Sequence, residues 1–342
     1  MDDTVYLLYR IFIYTIIFKK KDVLLLMITN LLLSLNVVFP IFFMMSVGYL
    51  IRKLNMVDEH SLTIMNKLVF RVFMSILLFV NVSKMDVEAL IDIKNLTLIL
   101  LVWGVIISTT IFYFLLYRKT VSDISKVPVM IQGSYRANLI LFGIPMATSL
   151  YGVNGAGIIS IAITGIIPLF NILAILILEG YANKNASKKK LFIAILKNPL
   201  IIACFLGIIF VVSGIKIPNL ILNPLVSMGK VATPLAFIIL GATLKFSSLI
   251  KNLKFIFVTT FMKLIFLPFI AIIIAIKMGF VNEHLLAILG ATGAPISISS
   301  FIMVKEIGGD EDLAAELIVS SSVIAILTLF IWIFSLKTLG FL

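Results

Sequence analysis

Arg136 and Asn138 stand two residues apart in an otherwise apolar run, and Gly143 and Pro145 follow in the same run, SYRANLILFGIPMATSLYG (134–152). A guanidinium and an amide suit a carboxylate: both offer N–H donors, and the guanidinium keeps its charge in apolar surroundings. A second polar group, Thr292, Ser297, Ser299 and Ser300, surrounds Gly293 and Pro295 in GATGAPISISSFIMVKE (290–306). Asn171 follows Pro168 in GIIPLFN, and Lys263 interrupts VTTFMKLIFLPF. Proline removes a backbone donor and clashes with the preceding turn, while glycine loosens the chain. Gly143–Pro145 and Gly293–Pro295 are therefore expected to break helices, and the N-terminal ends created there would attract anions.

Other chemistries find little support. His60 and His284 are isolated near helix ends, Cys204 is the single cysteine, and no HExxH, paired-carboxylate or nucleophile-elbow pattern occurs. Neither a catalytic residue nor a metal or cofactor site is expected, and an enzyme is unlike this pattern. The Asp and Glu residues all fall in expected loops or near span ends, Glu179, Glu283, Glu306 and Glu316 coming nearest to membrane depth. No carboxylate is thus available mid-span to relay protons or hold sodium as a charged ligand, although backbone and hydroxyl oxygens remain open to that ion. Buried cations without carboxylates suit an anionic substrate.

The elements that must position these residues follow from composition. The 342-residue chain is 61% hydrophobic and 13% charged, with a mean hydropathy of +1.19. A water-soluble fold cannot hide so much apolar surface, whereas runs of about 20 apolar residues cross a bilayer. We read ten spans: 31–51, 61–80, 94–117, 127–150, 154–179, 199–215, 224–243, 254–276, 284–305 and 313–336. The expected fold is an all-α polytopic membrane protein. The net charge of +12 belongs to its loops and is no nucleic-acid footprint.

Those loop cations orient the spans. Thirteen follow odd-numbered spans (Arg52, Lys53, Arg118, Lys119, Lys126, Lys184, Lys188, Lys189, Lys190, Lys197, Lys245, Lys251 and Lys254) and five follow even-numbered ones or lie in the tail (Lys84, Lys94, Lys216, Lys277 and Lys337). Odd loops are expected in the cytoplasm and both ends of the ten-span core outside. The start of the chain does not fit: VYLLYRIFIYTIIF (5–18) is short for a span, and Lys19, Lys20 and Lys21 would face the wrong side. Met27 as the true start, or an interfacial anchor, are both open readings.

Five spans in each half require the halves to insert in opposite senses, the inverted-repeat plan of many carriers. FGIPM (142–146) and TGAPI (292–296) occupy the fourth span of each half, and MNKLV (65–69) and MGKVA (228–232) lie near the start of the second. Broken helices 4 and 9 are expected to cross near the midplane. Of the in-span cations, Lys67 and Lys230 lie close enough to span ends to snorkel, and depth alone assigns Arg71 no role. Arg136 and Lys263 are deep and are expected to supply positive potential or to pair with the anion. The candidate substrate-binding set is therefore Arg136, Asn138, Gly143, Pro145, Asn171, Lys263, Thr292, Gly293, Pro295 and Ser297.

The sequence resembles the auxin efflux carrier family. SYRANLILFGIPMA is similar to its fourth-span motif, and PLAFIILGATLKF (234–246), MKLIFLP (262–268) and GAPISISSFIMVKEIGGDEDLAAELIVSSSV (293–323) to its later segments, so the likeness covers about 36–336. The resemblance implies a bile-acid-symporter-like fold of ten helices in two inverted repeats, 31–179 and 199–342, joined by a cytoplasmic loop (180–198) and preceded by an extension (1–30). It implies a scaffold of spans 1, 2, 6 and 7 and a transport unit of spans 3–5 and 8–10 that moves as an elevator. It also matches Asn138 to a substrate-contacting asparagine and Pro145 and Pro295 to two crossover prolines. FRVFMSILLF (70–79) lacks a proline often found there, and the long regulatory loop of plant members and the proline before their asparagine are missing. Auxin itself is not implied.

The expected function is secondary transport of small organic anions, carboxylates foremost, across a bacterial cell membrane. Exporting one negative charge gains about 2.3 kcal/mol per 100 mV, so potential-driven uniport suffices. A sodium- or proton-coupled organic-acid symporter on the same fold is the alternative, and a non-transporting membrane sensor is the alternative of another class. Expected partners are the organic anion and the lipid bilayer, with a homodimer left open.

Overall fold

The computed structural model describes residues 39–40, 42–84, 92–182, 193, 196–215, 217–244 and 246–342. The extension 1–30, most of the 180–198 loop, and Lys184, Lys188, Lys189, Lys190, Lys216 and Lys245 lie outside them. Among the described residues the chain is helical and contains no strand. Six helices are long and apolar enough to cross a membrane: α2 (Glu59–Ser83), α3 (Ile93–Thr120), α6 (Asn154–Ala182), α8 (Asn219–Thr243), α9 (Lys251–Lys277) and α12 (Glu311–Thr338). Between them lie α1 (42–53), α4 (Lys126–Tyr135), α5 (Leu139–Gly152), α7 (Pro199–Ser213), α10 (Asn282–Gly293) and α11 (Ile298–Ile307).

Polar residues at the rims start and stop these helices. The Asp58 carboxylate accepts from the Ser61 amide at 2.7 Å to open α2, and Asp92 accepts from the Lys94 and Asn95 amides at 3.0 and 3.2 Å to open α3. Asp310 caps α12 through the Leu313 amide at 2.8 Å. Asn198 caps α7 in the same way, and Pro199 occupies the first turn, where its missing N–H costs nothing. Gly214, at φ +66°, ends that helix in the left-handed conformation that glycine adopts without strain. Gly152, at φ +59° and ψ −138°, turns the chain between α5 and α6 in one residue.

Two of the three π-turns among the described residues, at Leu139–Gly143 and Met262–Phe266, run just ahead of Pro145 and Pro268. A π-turn widens the helix and makes room for the ring that an α-helix would reject. Pro268 cannot bond the Leu264 carbonyl four residues back, and the Trp332 indole donates to that carbonyl at 3.0 Å. The Trp103 indole donates to the Gly165 carbonyl, in the turn before Pro168, also at 3.0 Å. Hydrocarbon leaves no water to bond such groups, so each released carbonyl needs a partner within the protein.

The π-turn also moves the first helix break. The sequence pattern puts it at Gly143–Pro145, but the chain is helical through both residues. It leaves the helix earlier, at Arg136–Asn138, where Arg136 has φ −78° and ψ 115° and Asn138 has φ −87° and ψ 68°. The second break lies where glycine and proline indicate: α10 stops at Gly293 and α11 starts at Ile298.

Glycines set the closest helix contacts. A Cβ built on Gly241 in α8 would lie 2.0 Å from the Met45 carbonyl oxygen of α1, and one on Gly48 would lie 2.0 Å from the Ile238 carbonyl oxygen. One on Gly207 of α7 would meet the Val82 side chain of α2 at 2.7 Å. Without a hydrophobic drive between helices in lipid, such close backbone approach supplies much of the packing energy. Gly241→Ala is expected to lower the apparent melting temperature of detergent-purified protein clearly. Gly104→Ala, where an added Cβ has nothing within 4 Å, should leave it unchanged or slightly raised. Equal effects would refute this account of the α1–α8 contact.

Candidate functional site

The two interruptions meet. Ala137 and Ile296 form an isolated antiparallel bridge, and the Asn138 amide donates to the Pro295 carbonyl at 2.7 Å. The Ile296 amide finds the Ser321 hydroxyl of α12 at 3.1 Å. Each break thus supplies partners for backbone groups that the other, or a neighbouring helix, has released. Four helix ends converge: the C-terminal ends of α4 and α10 and the N-terminal ends of α5 and α11.

The C-terminal ends carry free carbonyls and partial negative charge. Lys263, fully buried in the π-turn of α9, directs its ammonium at both: Nζ donates to the Thr292 carbonyl at 2.5 Å and to the Tyr135 carbonyl at 3.4 Å. The N-terminal ends face the other way, into a cleft of about 100 Å³. Asn138 caps α5, its side-chain oxygen accepting from the Leu141 amide at 3.4 Å. Ser297 precedes the first turn of α11, and its hydroxyl lies 2.8 Å from that of Ser299.

Arg136 lies at the edge of this cleft and is only 3% exposed. Its guanidinium donates to the Asn171 side-chain oxygen of α6 and to the Ser299 hydroxyl at 2.8 Å, and it touches the Met303 sulfur. These partners are neutral. Among the described residues no Asp or Glu lines the cleft or lies within 4.0 Å of the Arg136 nitrogens, and no three His, Cys, Asp or Glu gather as metal ligands. The opposite wall comes from Met74, Leu77 and Asn81 of α2, Leu200 of α7 and Thr233 and Ala236 of α8. The cleft is therefore an apolar slot with one guanidinium, several amide and hydroxyl groups and two helix N-termini at one end. That arrangement favours a small anion with an apolar body.

Of the ten residues singled out in the sequence, Arg136, Asn138, Asn171 and Ser297 line the cleft together. Pro295 contributes its carbonyl to the crossing. Lys263, Thr292 and Gly293 lie behind the crossing among the C-terminal helix ends. Gly143 and Pro145 sit inside the helical run that follows Asn138, and a Cβ on Gly143 would approach the Leu139 side chain at 2.8 Å. Asn81 and Thr233 escaped the sequence reading, and Ser299 was named only as a nearby polar group. An amide in SILLFVNVS and a hydroxyl beside Pro234 are visible signals, but both belong to helices that meet the break only in the folded protein.

The position of Lys263 generates a stability prediction. Lys263→Met should leave the Tyr135 and Thr292 carbonyls short of a donor and destabilise the protein by about 1–3 kcal/mol. A thermal melt in detergent would read this as a lower midpoint, while Asn138→Ala shifts the midpoint far less. A Lys263→Met protein that melts with the unaltered chain would remove the capping role.

Comparison with known proteins adds the family. The pattern of the membrane transport protein family matches residues 33–333. An uncharacterized transporter of Methanothermobacter thermautotrophicus is 22% identical over 302 residues, covering 87% of this chain and 97% of its own. With long apolar helices and a match across most of its length, the chain is a multi-pass membrane protein and belongs to the membrane transport protein family, the auxin efflux carrier family.

Proposed function

We propose that the chain is a carrier for small organic anions, carboxylates foremost, and that the carboxylate binds at the crossing beside Arg136. The single observation that carries this reading is a buried guanidinium with only neutral partners, facing a cleft into which two helix N-termini point. An uncompensated cation in a low-dielectric interior is costly, and an anion beside it offsets that cost. Asn138, Asn171, Ser297 and Ser299 would hold the carboxylate oxygens, and Met74, Leu77, Asn81 and Thr233 would contact the body of the substrate. No catalytic step is assigned to these groups.

Movement follows the same reading. Ten spans form two inverted five-span repeats: α1, α2, α3, α4–α5 and α6 in the first, and α7, α8, α9, α10–α11 and α12 in the second. Helices α1, α2, α7 and α8 act as the scaffold, and the rest slide against it as an elevator. The basic loops face the cytoplasm and both ends of the ten-span core face outside. Residues of α2, α7 and α8 on one side of the cleft and of the crossing and α6 on the other support this division, since alternating access requires a site between the two units. Membrane potential alone can drive the anion outward, and a dependence of flux on a sodium or proton gradient at clamped voltage would instead mark a symporter.

The test is flux of malate and related small carboxylates in proteoliposomes. Arg136→Gln and Asn138→Ala should each cut flux at subsaturating substrate about tenfold or more, the effect of losing one charge-assisted hydrogen bond, with folded protein still recovered. Full flux in both variants would reject the site, and no flux of any acid by the unaltered protein would favour a sensor. A second prediction concerns the sliding surface. Arg71 of α2 pairs with Glu306 of α11 at 2.9 Å, a contact that must part if α11 moves past α2. Arg71→Gln and Glu306→Gln should change maximal flux more than apparent substrate affinity, and the double variant should behave like either single one. Additive effects would exclude the pair as a moving contact.

A further inference from the structure

A second recess lies away from the crossing, where the last turns of α3 and α6 meet the 121–125 connection. It has a volume of about 730 Å³, and its floor and rim differ in chemistry. The floor is apolar and partly open: Phe114, Ile124, Leu176 and Ile177 line it, with Leu176 44% and Ile124 51% exposed. The rim carries Arg118, Lys119 and the Ser122 hydroxyl. Arg118 lies over the Phe114 ring, 6.0 Å from its centroid, and the Tyr181 ring packs edge-on to the same phenylalanine at 6.3 Å, so the guanidinium is held beside the groove. The nearest acidic group in the connection, Asp123, is turned to the Ser125 hydroxyl at 2.7 Å and to Lys126 at 3.9 Å.

Two cations and a hydroxyl above an exposed apolar trough, at the ends of two membrane-spanning helices, match an anionic phospholipid in both charge and polarity. We propose that this recess binds one anionic glycerophospholipid from the adjoining leaflet, its phosphate between Arg118, Lys119 and Ser122 and an acyl chain along Leu176 and Phe114. Water-soluble anions fit less well, because the trough would stay empty beneath them. A zwitterionic lipid fills the trough but brings its own cation to the rim. Charge selects the headgroup and the trough selects a lipid over a free phosphate.

The proposal is separable from substrate transport, since none of its residues lines the crossing cleft. Native mass spectrometry of detergent-purified protein titrated with phosphatidylglycerol, phosphatidylcholine or inorganic phosphate tests it. One phosphatidylglycerol should be retained in preference to phosphatidylcholine, and phosphate alone should not bind. The double variant Arg118→Gln/Lys119→Gln should weaken retention about 30-fold, the loss of two interfacial cations. Lys251→Gln/Lys254→Gln, which removes the same charge from the first turn of α9, should not. Leu176→Trp, which fills the trough and spares the rim, should also reduce retention. Equal retention of the two lipids, binding of phosphate alone, equal losses in the two double variants, or unaltered protein that retains no lipid at all would each overturn the proposal.

Discussion

In hydrocarbon a released peptide group has no water to turn to, and this constraint organises the molecule. A helix can be interrupted at membrane depth only where something else takes over its hydrogen bonds. Here the takeover is mutual. The extended residues after α4 and those after α10 lie antiparallel, the Asn138 amide meets the Pro295 carbonyl, and the Ser321 hydroxyl and Lys263 ammonium take groups that remain. Neither interruption is plausible alone, and each makes the other affordable.

The same constraint explains the indole contacts. Trp332 and Trp103 do not line the cleft, yet each donates to a carbonyl in the turn before a proline. The Tyr113 hydroxyl adds a second donor, at 3.3 Å, to the Met262 carbonyl at the start of the α9 π-turn, which also accepts from the Leu267 amide. Proline and π-turns interrupt the regular hydrogen-bond ladder, and large side chains with one polar atom pack beside the interruptions. Their apolar bodies pack while the single donor reaches the backbone.

Much of this was legible in the residues. Hydropathy marked the long helices, and Arg136, Asn138, Asn171 and Ser297 stood out because polar groups are expensive at such depth. The position of the first break was misread for a physical reason. Proline is the local signal for a break, but a π-turn absorbs Pro145, whereas nothing in the local sequence shows that Arg136 and Asn138 leave the helix to pair with another segment. The second break was read correctly because Pro295 stands within the non-helical stretch itself. Lys263 was legible as buried but not as facing carbonyls, since its partners come from α4 and α10, far away in sequence. Asn81 and Thr233 were lost in the same way: long-range neighbours leave no periodic trace.

The two deep cations also differ in kind, and their surroundings show why. Lys263 meets two helix ends that arrive from different directions, and a compact ammonium with three rotatable donors can serve both carbonyls at once. A planar guanidinium would have to favour one. Arg136 lies where the opposite property is useful. Its five donors spread in a fixed plane, so some can be held by Asn171 and Ser299 while the group still borders the cleft. Its weaker hydration lowers the cost of keeping it there with neutral partners. The crossing thus separates its charges by function: the ammonium answers the carbonyl ends and maintains the break, and the guanidinium joins the amide ends and gives the cleft its positive field.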